Sequence, residues 1–244
     1  MSAGSELLES YEAQRADFER TLTAIRAISS ATIADLQSLD WLVRLIREVG
    51  LVPIPEAERT YAEDAEYLNS STLGVIQLPR EFARYLLLLG EHRPERYLEI
   101  GTFNGVTASL AAAYLSRFQP KLRAVTVDVY PHFLFYSQVK PLLPCLEYAV
   151  PRTSFDFREE IFDAVFIDGD HSFEWAWADY QNVGSRAAIC AMHDVNNAPY
   201  REMQFGGVPA VWQLIKKSEP TAAFHEIFEH PSEALMGIGV RVQA

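Results

Sequence analysis

Two apolar runs in this sequence close on groups that could do chemistry. Phe162 to Ile167 is followed by Asp168-Gly169-Asp170-His171-Ser172, and Ala187 to Met192 is followed by His193-Asp194. If the runs are adjacent strands, Asp168 and Asp194 face each other across the strand ends. Two carboxylates in one cleft suit a hard divalent cation such as Mg²⁺, bound by oxygen with several waters retained. His171 lies three residues after Asp168. An imidazole titrates near neutral pH and can take a proton from a hydroxyl whose pKa the metal has lowered. The plainer alternative is that Asp168 only ends its strand and His171 only caps the next helix.

Further upstream lies Glu99-Ile100-Gly101-Thr102-Phe103-Asn104-Gly105. A glycine straight after a strand allows close backbone approach to a ligand, and the helix that follows offers free N–H groups to an anion. The spacing is GxxxG, with Thr102 and Phe103 inside it. The middle glycine of a dinucleotide loop, which admits a pyrophosphate, is absent. An amino-acid carboxylate is a smaller load. Thr107, in the first helical turn, offers it a hydroxyl, and Glu99 could reach an ammonium group. Asp128 comes 27 residues after Gly101 and is followed by Val129. A carboxylate there can accept both ribose hydroxyls of a nucleoside. Dehydrogenases share this feature, so it does not discriminate.

These residues need strands to carry them. Arg96–Ile100, Leu122–Val127, Phe162–Ile167 and Ala187–Met192 are apolar runs, ending at Gly101, Asp128, Asp168 and Asp194. Between them the spacing predicts helices over Val106–Leu115 and Phe173–Val183, with others over Pro79–Leu89, capped by Gly90, and Val208–Lys217. Ala223–Phe228 and Ala234–Val242 read as a closing pair of strands. Alternating strands and helices imply an α/β fold, a doubly wound, mostly parallel sheet with a C-terminal antiparallel hairpin. Ligands of such sheets bind beyond the carboxyl ends of the strands. Residues 1–74 read as a helical extension, with helices near 5–28 and 35–49 joined by a polar stretch holding one short helix. Residues 75–244 form the sheet domain.

Composition narrows the partners. The chain has 244 residues, is 49 % hydrophobic and carries a formal net charge of −12. That charge repels phosphate backbones, which argues against nucleic acid. Cys145 and Cys190 are far apart and predict buried free thiols rather than a disulfide or zinc site. The polar N-terminal segment resembles neither a signal nor a transit peptide, and the apolar runs are too short to span a bilayer. The expectation is a soluble cytoplasmic protein. Tyr130, Phe133, Phe135, Tyr136 and Trp175 hint at a ring-bearing or macrocyclic small-molecule acceptor near the site mouth, although such aromatics are more often core. Pro199 to Val208 reads as a loop over that acceptor, or as a plain connection.

The segments YLEIGTFNGVTASLAAAYL, VTVDV, FDAVFIDGDHSFE and HDV, in this order, resemble class I S-adenosylmethionine (SAM)-dependent methyltransferases. They are most similar to the metal-dependent small-molecule O-methyltransferase branch, which includes macrocin-type and cephalosporin-hydroxylase-like proteins with DGDHS and a later HD. The resemblance covers roughly residues 75–242. It implies a Rossmann-like fold and a SAM site at Glu99, Gly101, Thr102, Phe103, Gly105, Thr107, Asp128, Val129 and Asp168. It also implies a divalent metal on Asp168, Asp194 and His193, with His171 where related enzymes carry a lysine base. His193 departs from the acidic residue of some relatives and is a poorer Mg²⁺ ligand. The stretch after Asp128 lacks the usual signature near the adenine. The implied activity is methyl transfer to a hydroxyl oxygen, with a homodimer or higher homo-oligomer expected and the helical extension as lid or interface. Two other readings stand beside it: a nicotinamide-dependent oxidoreductase, and a SAM-binding protein without methyl transfer.

Overall fold

The computed structural model describes residues 3–51, 73–229 and 235–243, with side chains from residue 14 onward. The extension begins with α1 (Ala3–Ser30), followed by α2 (Ile33–Leu36) and α3 (Leu39–Val49). Thr32 and Asp35 form a reciprocal cap on α2, and Ser38 caps α3, so one expected helix is split in two by its own capping residues. The short helix expected between 52 and 72 lies outside the described residues.

The sheet domain follows with α4 (Pro79–His92), β1 (Arg96–Ile100), α5 (Val106–Ser116), β2 (Arg123–Val127), α6 (Tyr136–Val139) and β3 (Leu146–Ala149). Then come β4 (Ala164–Ile167), α7 (Phe173–Asn182), β5 (Ile189–Met192), α8 (Ala198–Arg201), α9 (Gly207–Ser218), β6 (Ala223–Ile227) and β7 (Ile238–Val242). The seven strands run in the order β3-β2-β1-β4-β5-β7-β6. β7 runs antiparallel to both β5 and β6, and the other four pairings are parallel. The doubly wound sheet with its antiparallel closing strand is as expected. The strand β3 was not foreseen: its four residues follow a proline-rich turn and only Leu146 is buried, so its apolar signal is weak.

Both faces of the sheet are covered, which is why β1, β2, β4 and β5 are buried almost throughout. Side chains alternate between the faces. Tyr97 points into the layer formed by α1, α3, α4 and α5, whereas Leu98 and Ile100 point into the layer formed by α7 and α9. The helix α5 is buried on nearly every side because the sheet, α1 and α4 all pack on it. Gly90 does not end α4. It sits inside the helix, where a Cβ would come 2.6 Å from the Tyr114 hydroxyl, and Arg93 takes the left-handed capping position instead.

The extension shares one apolar core with the sheet domain. Phe18, Leu22, Ile25 and Ile28 of α1 are buried in it, and each such side chain contributes about 1.5–3 kcal/mol. Arg117, just past α5, fastens the end of α1. Its guanidinium donates to the carbonyls of Ile28 (2.7 Å), Ser29 and Ala31 (2.9 Å). Carbonyls at a helix C-terminus lack full helical partners, and Ile28 accepts only a long 3.4 Å bond from the Ala31 N–H. Arg117→Ala should therefore destabilise the fold by about 1–3 kcal/mol, read as a lower urea midpoint. An unchanged midpoint would mean that the apolar face alone holds α1.

Candidate active site

Gly101 leaves β1 with φ 93°, and a Cβ on it would lie 2.0 Å from the Asp168 carbonyl oxygen. Only glycine allows this approach. Asp168 N–H in turn donates to the Ile100 carbonyl at 2.8 Å. The glycine loop is thus built directly against the residue that follows β4. Gly105, with φ 78°, starts α5, and a side chain there would strike the Phe133 ring at 2.4 Å. Asn104 caps α5 by accepting from Val106 N–H at 3.0 Å and donates to the Gly74 carbonyl at 2.9 Å.

Asp128 stands beyond β2. Its carboxylate accepts from the Phe103 N–H at 2.8 Å and the Tyr130 N–H at 3.0 Å. This bonds the Asp128 side chain to the glycine loop and holds Phe103 in its left-handed conformation, φ 46°. Both residues, with Gly101, Thr102, Thr107, Val129 and Asp168, line one cavity of about 760 Å³ across the strand ends, within the size range of small-molecule sites.

Glu99 is placed elsewhere. It is buried on the Tyr97 side of the sheet, away from the cavity wall. Tyr97 and Thr126 hydroxyls donate to it at 3.3 and 3.4 Å. Burial, with the charge of Asp168, pushes its carboxyl well above the usual range. Glu99 does not line the cavity, whereas Gln77, ahead of α4, does. The Gln77 carboxamide donates to the Asp168 carboxylate and accepts from the Thr107 hydroxyl at 2.8 Å. No local pattern marks Gln77 in the sequence, because its role depends on where α4 docks.

Asp168, His171, His193 and Asp194 meet at the end of the cavity over β4 and β5. One ligand atom from each lies within 4.8 Å of all the others. His171 Nε2 is 3.0 Å from Asp194 Oδ2, and His193 Nδ1 is 3.1 Å from both Asp168 Oδ1 and Asp194 Oδ2. His193 Nε2 is buried without a hydrogen-bond partner among the described residues. Asp194 sits at φ 59° and is held there by Asn197, whose side chain donates to it at 2.8 Å. His171 does not cap α7: Ser172 is the N-cap residue, and no side chain makes a capping hydrogen bond there.

Burial opposes charge on all four groups, yet their mutual attraction outweighs it. The rings of His193 and His171 hold Asp168 at about 2 and Asp194 well below the usual carboxylate range. The two carboxylates lift His171 to about 9 and His193 well above its ordinary value. The charge that protonates these rings is the same charge a cation would use.

Other expectations divide. Tyr130 and Trp175 are exposed and line the cavity. Phe133 and Phe135 do not; they are core, and Phe135 stacks on Phe18 at 4.7 Å. Tyr136 turns inward and donates to the Leu146 carbonyl at 3.0 Å. The stretch 199–208 folds as α8 and a turn with positive φ at Phe205, Gly206 and Gly207, and it lays Tyr200 flat on the His171 ring, 4.3 Å between centroids. Described residues of the extension before Gly74 do not line the cavity. Cys145 and Cys190 are free, but only Cys190 is fully buried.

A methyltransferase-domain family matches residues 98–195, a span that holds the loop, Asp128 and the whole quartet. Over that span the chain is similar to methyltransferase domains. No curated protein matches the sequence. Among solved structures, an O-methyltransferase from Bacillus cereus in complex with SAH is similar at TM-score 0.55 and 16 % identity, over 84 % of this chain and 100 % of that one. The SAH-bound methyltransferase PaMTH1 of Podospora anserina is similar at 0.50 and 16 %, over 83 % and 94 %. TomG, the O-methyltransferase of tomaymycin synthesis in Streptomyces achromogenes, in complex with SAM, is similar at 0.50 and 20 %, over 80 % and 92 %. At these identities the likeness shows the Rossmann-like fold. Among the described residues no helix is long and apolar enough to cross a membrane.

The sheet domain depends on the Gly101 contact. Gly101→Ala should cost several kcal/mol, on the order of 3, and should lower the thermal midpoint steeply. A midpoint within about 1 °C of the parent would show that the loop can move off Asp168, contrary to the packing described.

Proposed function

We propose that this chain moves a methyl group from SAM to a hydroxyl oxygen of a small molecule, assisted by a divalent cation. The observation that carries the reading is the shared cavity. One wall holds Thr107 and Asp128, and the adjoining end holds two carboxylates and two imidazoles within 4.8 Å. Opposite ligands of a small divalent ion lie about 4–5 Å apart, given bonds of roughly 2.0–2.6 Å, so the donors fit such an ion.

Asp168, Asp194 and His193 would hold the cation. The carboxylates suit Mg²⁺ or Mn²⁺ and the imidazole suits Zn²⁺ or iron. When bound, the ion lowers the pKa of a coordinated hydroxyl, and SAM supplies an electrophilic methyl on its sulfonium. The remaining work falls to the chain. Asp128 has lone pairs left beyond its two backbone bonds, since a carboxylate offers about four acceptor sites, and it would accept the ribose hydroxyls. Thr107, whose one hydroxyl proton is now given to Gln77, would turn it to the methionine carboxylate. His171, held flat by Tyr200, would take the acceptor proton at Nε2 once a cation on the two carboxylates has displaced the proton they now hold there. Tyr130, Trp175 and Met236 would give the acceptor apolar walls. Holding the two reactants in line supplies much of the rate.

Three outcomes are expected. Calorimetry should show SAM binding that weakens by about 10- to 100-fold in Asp128→Ala; unchanged affinity would reject the ribose assignment. Methylation of a panel of hydroxylated small molecules should stop in chelator and return with a divalent ion, and Asp168→Asn should weaken direct Mn²⁺ binding. Tight SAM binding with no turnover on any acceptor would favour a SAM-binding protein without methyl transfer. His171→Ala should lower the rate by about 100-fold or more while SAM still binds; full activity would remove His171 as the base.

A further inference from the structure

Glu81, in the first turn of α4, is a wholly buried carboxyl that does not line the cavity. Its two oxygens hold two backbone amides from far along the chain. One accepts from the Glu229 N–H, just past β6, at 2.8 Å, and the other from the Gly237 N–H, just before β7, at 3.1 Å. The contact is returned. The Glu229 carboxylate accepts from the Arg80 N–H at 3.2 Å, one of the amides that a helix start leaves free. From Gly237 the hold continues to the end of the cavity that carries the quartet. The Gly237 carbonyl accepts from the Val195 N–H at 3.3 Å, and the Met236 carbonyl accepts from the Asn196 N–H at 2.9 Å. Val195 directly follows Asp194. Met236, Gly237 and Asp194 all lie in the left-handed region, with φ 47°, 92° and 59°. Residues with side chains stay there only when their surroundings impose it. Burial lifts the Glu81 carboxyl to about 7, against the lowering effect of the Glu229 amide, the His193 ring and the Gly237 amide. A buried carboxyl is a costly way to close a junction. What it offers over a neutral amide is two acceptor oxygens on one carbon.

This inference rests on the cation reading above. We propose that Glu81 is a positioning residue for the cation site: by clasping the Glu229 and Gly237 amides together, it fixes the backbone beside Asp194 and so the aim of that carboxylate. It touches neither cation nor acceptor and acts only through Gly237 and Val195. A glutamine has one acceptor oxygen, so Glu81→Gln must leave one of the two buried amides facing an NH₂ group and unsatisfied. The turn at Asp194 then loses the support that keeps it left-handed. The cofactor end of the cavity has its own bonds, from Asp128 to the Phe103 N–H and from Thr107 to Gln77, and it keeps them.

The test titrates the intact chain by calorimetry with Mn²⁺ and, separately, with S-adenosylhomocysteine, at a pH above the value of about 7 to which the Glu81 carboxyl is lifted. Glu81→Gln should bind Mn²⁺ about tenfold more weakly, with the affinity for S-adenosylhomocysteine nearly unchanged. Glu81→Asp keeps both oxygens but is one methylene too short to span the two amides. It should behave in the same way, and it replaces the glutamine variant if that one does not fold. Glu229→Ala removes only the returned bond to Arg80, so it should lower the melting temperature and leave Mn²⁺ affinity intact. Parent-like Mn²⁺ affinity in Glu81→Gln would overturn the proposal. So would an equal loss in Glu229→Ala, which would assign the effect to the docking of α4. Loss of both ligands together in both Glu81 variants would make Glu81 a general support of the fold and overturn it too. A parent that binds S-adenosylhomocysteine but no Mn²⁺ would overturn the cation reading, and this inference with it.

Discussion

The close backbone approach of Gly101 to Asp168 is the constraint on which the rest of the site depends. It places the end of β1 and the end of β4 in van der Waals contact, with no side chain between them. The glycine loop and the carboxylate quartet can therefore share one cavity. Asp128 is drawn into the same unit through its bond to the Phe103 N–H, and Gln77 joins it by bridging Thr107 and Asp168. A cofactor seated on the loop would lie beside whatever the quartet binds, which is the proximity that group transfer between two ligands requires.

The quartet is an electrostatic compromise. Two carboxylates and two imidazoles are buried together, and each would be costly there alone. They compensate one another, which is why the carboxyls are depressed and the rings lifted. That balance also makes the cluster receptive to a cation, since an ion can take over the role of the ring protons. Buried pairs of this kind add little to stability compared with apolar packing. The stability comes instead from the two apolar layers and from α1, which Arg117 fastens to the end of α5.

The legible parts of the sequence were those with a strong local signal. Four strand ends, the glycine loop, the DGDH segment and the closing strands all carry such a signal, and all appear. The misreadings share a physical cause. Gly90 has the residue type of a helix cap, but Tyr114 of another helix demands its small size. Glu99 sits next to the loop in sequence, yet strand alternation turns it to the other face. Phe133 and Phe135 lie near the mouth in sequence but are captured by Phe18 of α1. The strand β3 is short and half covered, so it lacks the apolar pattern that marks its neighbours.

By itself, then, the sequence determined the alternation of strands and helices around β1, β2, β4 and β5 and the residue types at those strand ends, because period and turn chemistry are local properties. It also indicated which chemistry those residue types could support. Only the tertiary structure decided which of them converge. The 4.8 Å quartet needs β4 beside β5, the Gln77 bridge needs α4 docked against the loop, and the Glu81 clasp needs α4 packed beside β6 and β7. These contacts join residues far apart in the chain, and no short-range pattern encodes them.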